Sequence, residues 1–145
     1  GDPHALFAAA AQARSILYLA DNAGEIVFDR LLLEALPLHA VTLAVRGAPV
    51  INDATRADAK AAGITDIVPV IDNGSDAPGT ILEDCSPAFR DVFERADLVI
   101  AKGQGNYESL SVADKPVYFL FTVKCEMVAA HVGAPIGTMV IHRAS

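Results

Sequence analysis

No stretch of this sequence approaches the roughly 20 consecutive apolar residues that a membrane-spanning helix needs. The early run 7–13 is also too short and too lightly flanked for a signal peptide. The chain therefore reads as cytoplasmic, without a membrane partner. Basic residues are scarce: 11 Lys and Arg stand against 18 Asp and Glu, giving a formal charge of −7 and a pI near 4.9. That balance disfavours nucleic acid and anionic lipid surfaces, which are themselves negative. The two cysteines, Cys85 and Cys125, lack metal-type spacing and are expected to be reduced thiols. His4, His39, His131 and His142 form no ligand motif and read as surface or helix-end residues. No G-x-S-x-G elbow is present, which removes support for an α/β-hydrolase triad.

What the chain does have is apolar content: 52% of its 145 residues, with a mean hydropathy of +0.36. That suffices for one domain with a real core and excludes disorder. Apolar runs at 16–20, 41–45, 67–71, 98–101, 116–121 and 138–141 predict six strands. Helical signals fall between them. Asp2 and Pro3 open a first helix, and apolar spacing after Glu25 gives a second, ended by Pro37. A third covers 55–62 and is closed by Gly63; a fourth covers 86–96, with Ser86 as cap and Pro87 at its first position. The last covers about 126–131 and is stopped by Gly133. Turn formers dominate 72–79, which reads as a loop. This alternation predicts a three-layer α/β domain with a mainly parallel sheet, helices on both faces, and a last strand able to run antiparallel.

Four strand ends carry polar residues: Asp21 and Asn22, Asn52 and Asp53, Lys102 to Asn106, and Thr122 with Lys124. In a parallel sheet these ends share one edge, where ligands of α/β proteins bind. Carboxylates and amides offer hard oxygen ligands suited to Mg²⁺ or Mn²⁺, while lysines and the backbone N–H groups near Gly24 suit a phosphate. Asp53 has a competing structural reading as the cap of the helix that follows it. Gly103 and Gly105 resemble part of the dinucleotide fingerprint, but Glu108 occupies the third glycine position. A nest of backbone N–H groups for a phosphate fits them better than a nicotinamide or flavin site.

Three stretches, DNAGEIVFD at 21–29, RGAPVINDAT at 46–55 and KGQGNYESL at 102–110, together with the Lys124-Cys125 pair, resemble the DUF89 family of metal-dependent, ARMT1-like damage-control phosphatases. The resemblance implies a Rossmann-like domain that holds one divalent ion, Mn²⁺, Co²⁺, Ni²⁺ or Mg²⁺, and acts on small phosphorylated metabolites. It places the metal ligands on Asp21, Asn22 and Asp53, the glycine-rich lysine motif on 102–106, and a later phosphate contact on Lys124. Family members also carry a substantial helical domain ahead of the α/β part, whereas about one helix's worth of residues precedes Ile16 here. The whole of 1–145 is therefore expected to be a single α/β domain.

On this reading Asp21, Asp53 and Lys124 are catalytic, and Gly24, Glu25, Lys102, Gly103, Gly105 and Asn106 join Lys124 in holding the phosphorylated substrate. The nucleophile is either a water or a carboxylate of Asp21 or Asp53. A module that binds a metal and a phosphorylated ligand without turnover, or an inactive part of a longer phosphatase, is the alternative. Oligomeric state is not legible in the sequence.

Overall fold

The computed structural model describes residues 2–50 and 52–144. Six strands form one sheet: β1 (Ile16–Leu19), β2 (Val41–Val45), β3 (Val70–Asp72), β4 (Leu98–Lys102), β5 (Val117–Thr122) and β6 (Met139–Ala144). Their order is β3-β2-β1-β4-β5-β6, and every neighbouring pair is parallel except β5 with β6. The α/β expectation and the antiparallel last strand are both met. The chain leaves β1 towards β2 on one side and later returns as β4 on the other. The crevice outside the carboxyl ends of β1 and β4 is thus the point where strand order reverses, the usual ligand position in such sheets.

Alternation along the strands builds two cores. Ile16, Tyr18, Leu43 and Ile100 face one layer, with Leu6 and Ala10 of α1 (Pro3–Gln12), Leu33 of α2 (Ile26–Glu34) and Ala59 of α3 (Arg56–Ala61). Leu17, Val99, Ala101 and Phe119 face the other, with Phe89 and Phe93 of α4 (Pro87–Arg95), Leu110 of α5 (Gln104–Leu110) and Val128 of α6 (Glu126–Val132). Because both faces are covered, the strands read as unbroken apolar runs. The helices are six to ten residues long, too short to persist alone in water. Packing holds them, at roughly 1.5–3 kcal/mol for each fully buried large aliphatic or aromatic side chain. Caps fix where they begin: the Asp2 carboxylate accepts from the His4 N–H, and the Ser86 hydroxyl oxygen accepts from the Phe89 N–H. Among the described residues no helix is long and apolar enough to cross a membrane.

The structure differs from the sequence reading at several elements. Ile64–Asp66 forms a 3-10 turn and pairing starts only at Val70, so the strand expected at 67–71 is shorter and later. Pro69 offers no N–H to the ladder, and Ile64 and Val68 are buried in the turn beneath it. Residues 104–110, to which the sequence reading assigned no helix, form α5. His142 is a strand residue of β6, and its ring and that of His131 both pack edge-on to Tyr107, at centroid distances of 5.5 and 5.9 Å.

Both cysteines are free, with Cys85 buried and Cys125 partly exposed. Burial first, and the neighbouring Asp84 second, push the Cys85 thiol up to about 11. Since the thiolate is the nucleophile, iodoacetamide at pH 8 is expected to alkylate Cys125 and to reach Cys85 only once the chain unfolds. Peptide mass mapping checks this, and equal labelling of both in the native state would contradict the burial.

Candidate active site

Beyond β1 and β2 the two following loops run side by side. Asn22 and Asp53 pair as an antiparallel bridge. The Ala23 N–H donates to the Asn52 carbonyl and the Ala54 N–H to the Asp21 carbonyl, each at 2.7 Å. Main-chain hydrogen bonds therefore bring Asp21, Asn22 and Asp53 to one corner before any side chain is considered. The Asn22 Oδ1 accepts from the Gly24 N–H at 2.7 Å and caps the 3-10 turn Ala23–Glu25 that leads into α2. An amide oxygen has a second lone pair, which stays available for a cation. Asp53 does not cap α3. Thr55 and Asp58 do so through a capping box, which leaves the Asp53 carboxylate to the corner.

Arg46, at the end of β2, was not singled out by the sequence. It is 4% exposed, its Nε donates to Asp53 Oδ2 at 2.7 Å, and its guanidinium lies 3.7 Å from Asp21 Oδ1. Even so, the Asp21 carboxyl is pushed up to about 6, first by burial and then by Asp53, with Arg46 and Lys124 pulling the other way. Gly103 forms the opposite wall of the corner with φ at +86°, and a Cβ there would stand 2.1 Å from Asp21 Oδ2. Only glycine tolerates both that backbone and that approach.

Lys102 ends β4. Its ammonium contacts Asp29 Oδ1 at 2.9 Å and Glu25 Oε1 at 3.3 Å. Burial alone would lower the Lys102 pKa, but the two carboxylates, Asp29 foremost, outweigh it and raise the value. Lys124 follows β5 with an exposed side chain, and its backbone N–H donates to Gln104 Oε1 at 2.8 Å. A cavity of about 410 Å³ is lined by Asp21, Glu25, Lys102, Gly103, Gln104 and Lys124 together with apolar side chains that include Leu32, Leu120, Phe121, Val140 and Ile141. Across the bridge, Asn22, Gly24, Asn52, Asp53 and Thr55 border a second hollow of about 530 Å³. Gly105 and Asn106 point elsewhere. Gly105 sits against Gly79, and the wholly buried Asn106 amide accepts from the Thr80 hydroxyl and donates to the Lys102 carbonyl. Asn106 thus ties the 72–81 loop to the turn after β4.

The model of the damage-control phosphatase ARMT1-like domain matches residues 2–140. The chain belongs to this damage-control phosphatase family. It is 44% identical over 129 residues to a damage-control phosphatase of Archaeoglobus fulgidus, covering 86% of this chain and 45% of that protein. With a damage-control phosphatase of Pyrococcus horikoshii it shares 40% identity over 146 residues, covering 98% and 51%. An uncharacterized protein of Methanocaldococcus jannaschii is 48% identical over 134 residues, covering 88% and 44%. The crystal structure of the Pyrococcus horikoshii protein, described as a DUF89 family member, superposes with a TM-score of 0.94 at 39% identity, over 99% of this chain and 52% of that one. The chain spans about half the length of the curated relatives it matches.

For this family member, the donor set at the corner fits a hard divalent cation. Among the described residues no three His, Cys, Asp or Glu side chains gather into a metal cage. Asp21, Asp53 and the Asn22 oxygen supply two carboxylates and one neutral oxygen, a sparse set that leaves positions for substrate and water, as hard catalytic cations require. Burial first and the neighbouring Asp53 second disfavour the ionised Asp21 carboxyl, a cost that a cation at the corner would offset.

Proposed function

We propose that this chain is the cytoplasmic, metal-dependent phosphatase domain of its family, hydrolysing phosphomonoesters of small metabolites such as sugar phosphates. One observation carries the reading. Asp21, joined by main-chain hydrogen bonds to the loop that carries Asp53 and next to the Asn22–Asp53 bridge, lines the same cavity as Lys102, Gly103 and Lys124 beyond the carboxyl ends of β1 and β4. A Mn²⁺, Co²⁺, Ni²⁺ or Mg²⁺ ion there would supply Lewis acidity towards a phosphoryl oxygen and acidify an attacking water. Asp21, Asn22 and Asp53 would hold that ion. Lys124, unencumbered at the rim, and Lys102, anchored at the wall, neutralise charge on the equatorial phosphoryl oxygens, which is most of what catalysis of phosphoryl transfer asks of a protein. Gly103 lets Asp21 approach, and Gly24 sets the turn that aims Asn22. A cavity of about 410 Å³ suits a small metabolite.

The test is phosphate release from p-nitrophenyl phosphate and a panel of sugar phosphates, after chelation and again with each cation added back. Cation-restored release in the unaltered chain, lost in Asp53→Asn with unchanged circular dichroism, supports the reading. Retained turnover in Asp53→Asn would sink the assignment of ligands. Cation binding without release from any ester would favour a binding module.

A further inference from the structure

The Lys102 ammonium is held by two carboxylates of opposite character. Asp29, on the first turn of α2, is 2% exposed, and its Oδ1 takes both the Lys102 contact at 2.9 Å and a 2.6 Å hydrogen bond donated by the Tyr18 hydroxyl, itself wholly buried. Glu25, one helical turn earlier, reaches the same ammonium at 3.3 Å with a side chain 53% exposed, from the cavity side. Tyr18 and Lys102 come from the adjacent parallel strands β1 and β4, so the sheet fixes one donor relative to the other. The first carboxylate is locked by sheet, helix and tyrosine. Nothing comparable locks the second, since Glu25 makes no cap at the start of α2.

We propose that Asp29, braced by Tyr18, is a positioning residue that fixes the Lys102 ammonium at the cavity wall, and that Glu25 is a displaceable stand-in for the phosphoryl anion on that ammonium. Lysine has three N–H donors in a compact charge. The buried contact with Asp29 keeps one of them in place, while the exposed contact with Glu25 is the one an incoming anion exchanges. A phosphoryl dianion offers more charge and more acceptor oxygens than a carboxylate, so it replaces Glu25 and repels it into solvent. The site thereby selects ligands that carry a terminal, doubly charged phosphoryl group over carboxylates and singly charged diesters. This deepens the phosphatase reading and rests on it for the identity of the ligand, though not for the contacts.

The two carboxylates give opposite results when neutralised. Inorganic phosphate is the probe, titrated by calorimetry with Mg²⁺ present and again after chelation. Glu25→Gln is expected to tighten phosphate about fivefold, because a competing like charge is gone. Asp29→Asn is expected to weaken it about tenfold, since the ammonium loses its fixed anchor and follows Glu25. A pure charge effect would have the other sign at Asp29, because removing a negative charge by itself favours an anion. Tyr18→Phe, which removes one hydroxyl, should weaken phosphate in the same direction by a smaller factor and serves if Asp29→Asn does not fold. Tightening by both carboxylate variants, or no change in Glu25→Gln, overturns the proposal, as does an unaltered chain that binds no phosphate. The expected pattern in a chain that releases no phosphate from p-nitrophenyl phosphate leaves this proposal standing and overturns the phosphatase reading. Ester turnover with KM moved the same way by both variants does the reverse.

Discussion

Replacing Gly103 by alanine is expected to abolish cation-dependent phosphate release while leaving most of the fold in place. At φ +86° the backbone is strained for any residue with a Cβ, and the added carbon would lie 2.1 Å from Asp21 Oδ2 and 2.3 Å from its Cγ. Holding an alanine there costs on the order of 1–3 kcal/mol. The cheapest relief is rotation of Asp21 away from Asp53 and Asn22. A displacement of about 1 Å at a reacting centre costs roughly 100-fold in rate, so turnover should fall by at least that factor and cation affinity with it. Gly105 supplies the contrast. It sits inside α5 with no positive φ, and a Cβ there would find its nearest neighbour, the Gly79 nitrogen, at an ordinary 3.5 Å. Gly105→Ala should therefore leave thermal stability unchanged or slightly higher. Comparable melting temperatures for Gly103→Ala and Gly105→Ala, with equal cation affinity, would show that Asp21 does not depend on the close approach.

Arg46→Met is the second large effect, and its size depends on the cation. The guanidinium is buried between Asp21 and Asp53, whose side chains are themselves only 21% and 18% exposed. Removing one partner of a buried pair leaves uncompensated charge, typically at a cost of about 3–5 kcal/mol. The partial exposure of the two carboxylates places this case at the lower end, about 3 kcal/mol. For a domain of this size that corresponds to a fall of roughly 10 °C in Tm. Methionine preserves the packed volume, so the loss reports charge rather than a cavity. Divalent cation should then stabilise Arg46→Met more than the unaltered chain, because it neutralises the same carboxylates that Arg46 now partly balances. A differential scanning measurement with Mn²⁺ and with chelator checks it. Equal cation-induced shifts in the two proteins would mean that the ion binds elsewhere.

The strand-turn-helix at 16–34 could be read from residues alone, because an unbroken apolar run stopping at Asp21, Asn22 and Gly24 has few physical alternatives. The mainly parallel sheet and the convergence of distant strand ends followed from the alternation of elements, whereas the order of the strands came only with the structure. Other features lay beyond such patterns. Arg46 looked like an ordinary strand-end cation, since its partner Asp53 is set by a loop that folds back along the first one. Residues 104–110 gave no helix signal because Gly103 just before them and Gly105 within them depress helix propensity; burial of Tyr107 and Leu110 against the sheet overrides it. The Asp29 anchor was invisible for a different reason. Its helical position marks it as one more polar residue near a helix start, and only the neighbouring strands supply Tyr18 and Lys102. A signal was present nonetheless: Asp29 falls on the inward stripe shared with Ile26 and Leu33, where an aspartate demands a partner.

The short main-chain ladder between the loops after β1 and β2 has a consequence for motion. The Ala23 and Ala54 amides that stitch it belong to segments that would otherwise be irregular surface chain, where backbone protons are normally lost to solvent quickly. Tied to the central strand of the sheet, they should open only with the larger cooperative unit around β1 and β2. Hydrogen–deuterium exchange at these two amides is therefore expected to be slow in the chelated protein and to change little on adding Mn²⁺. The corner is then ready-made before its ion arrives, so ion association has no ordering step and its rate should stay insensitive to solvent viscosity beyond that of simple diffusion.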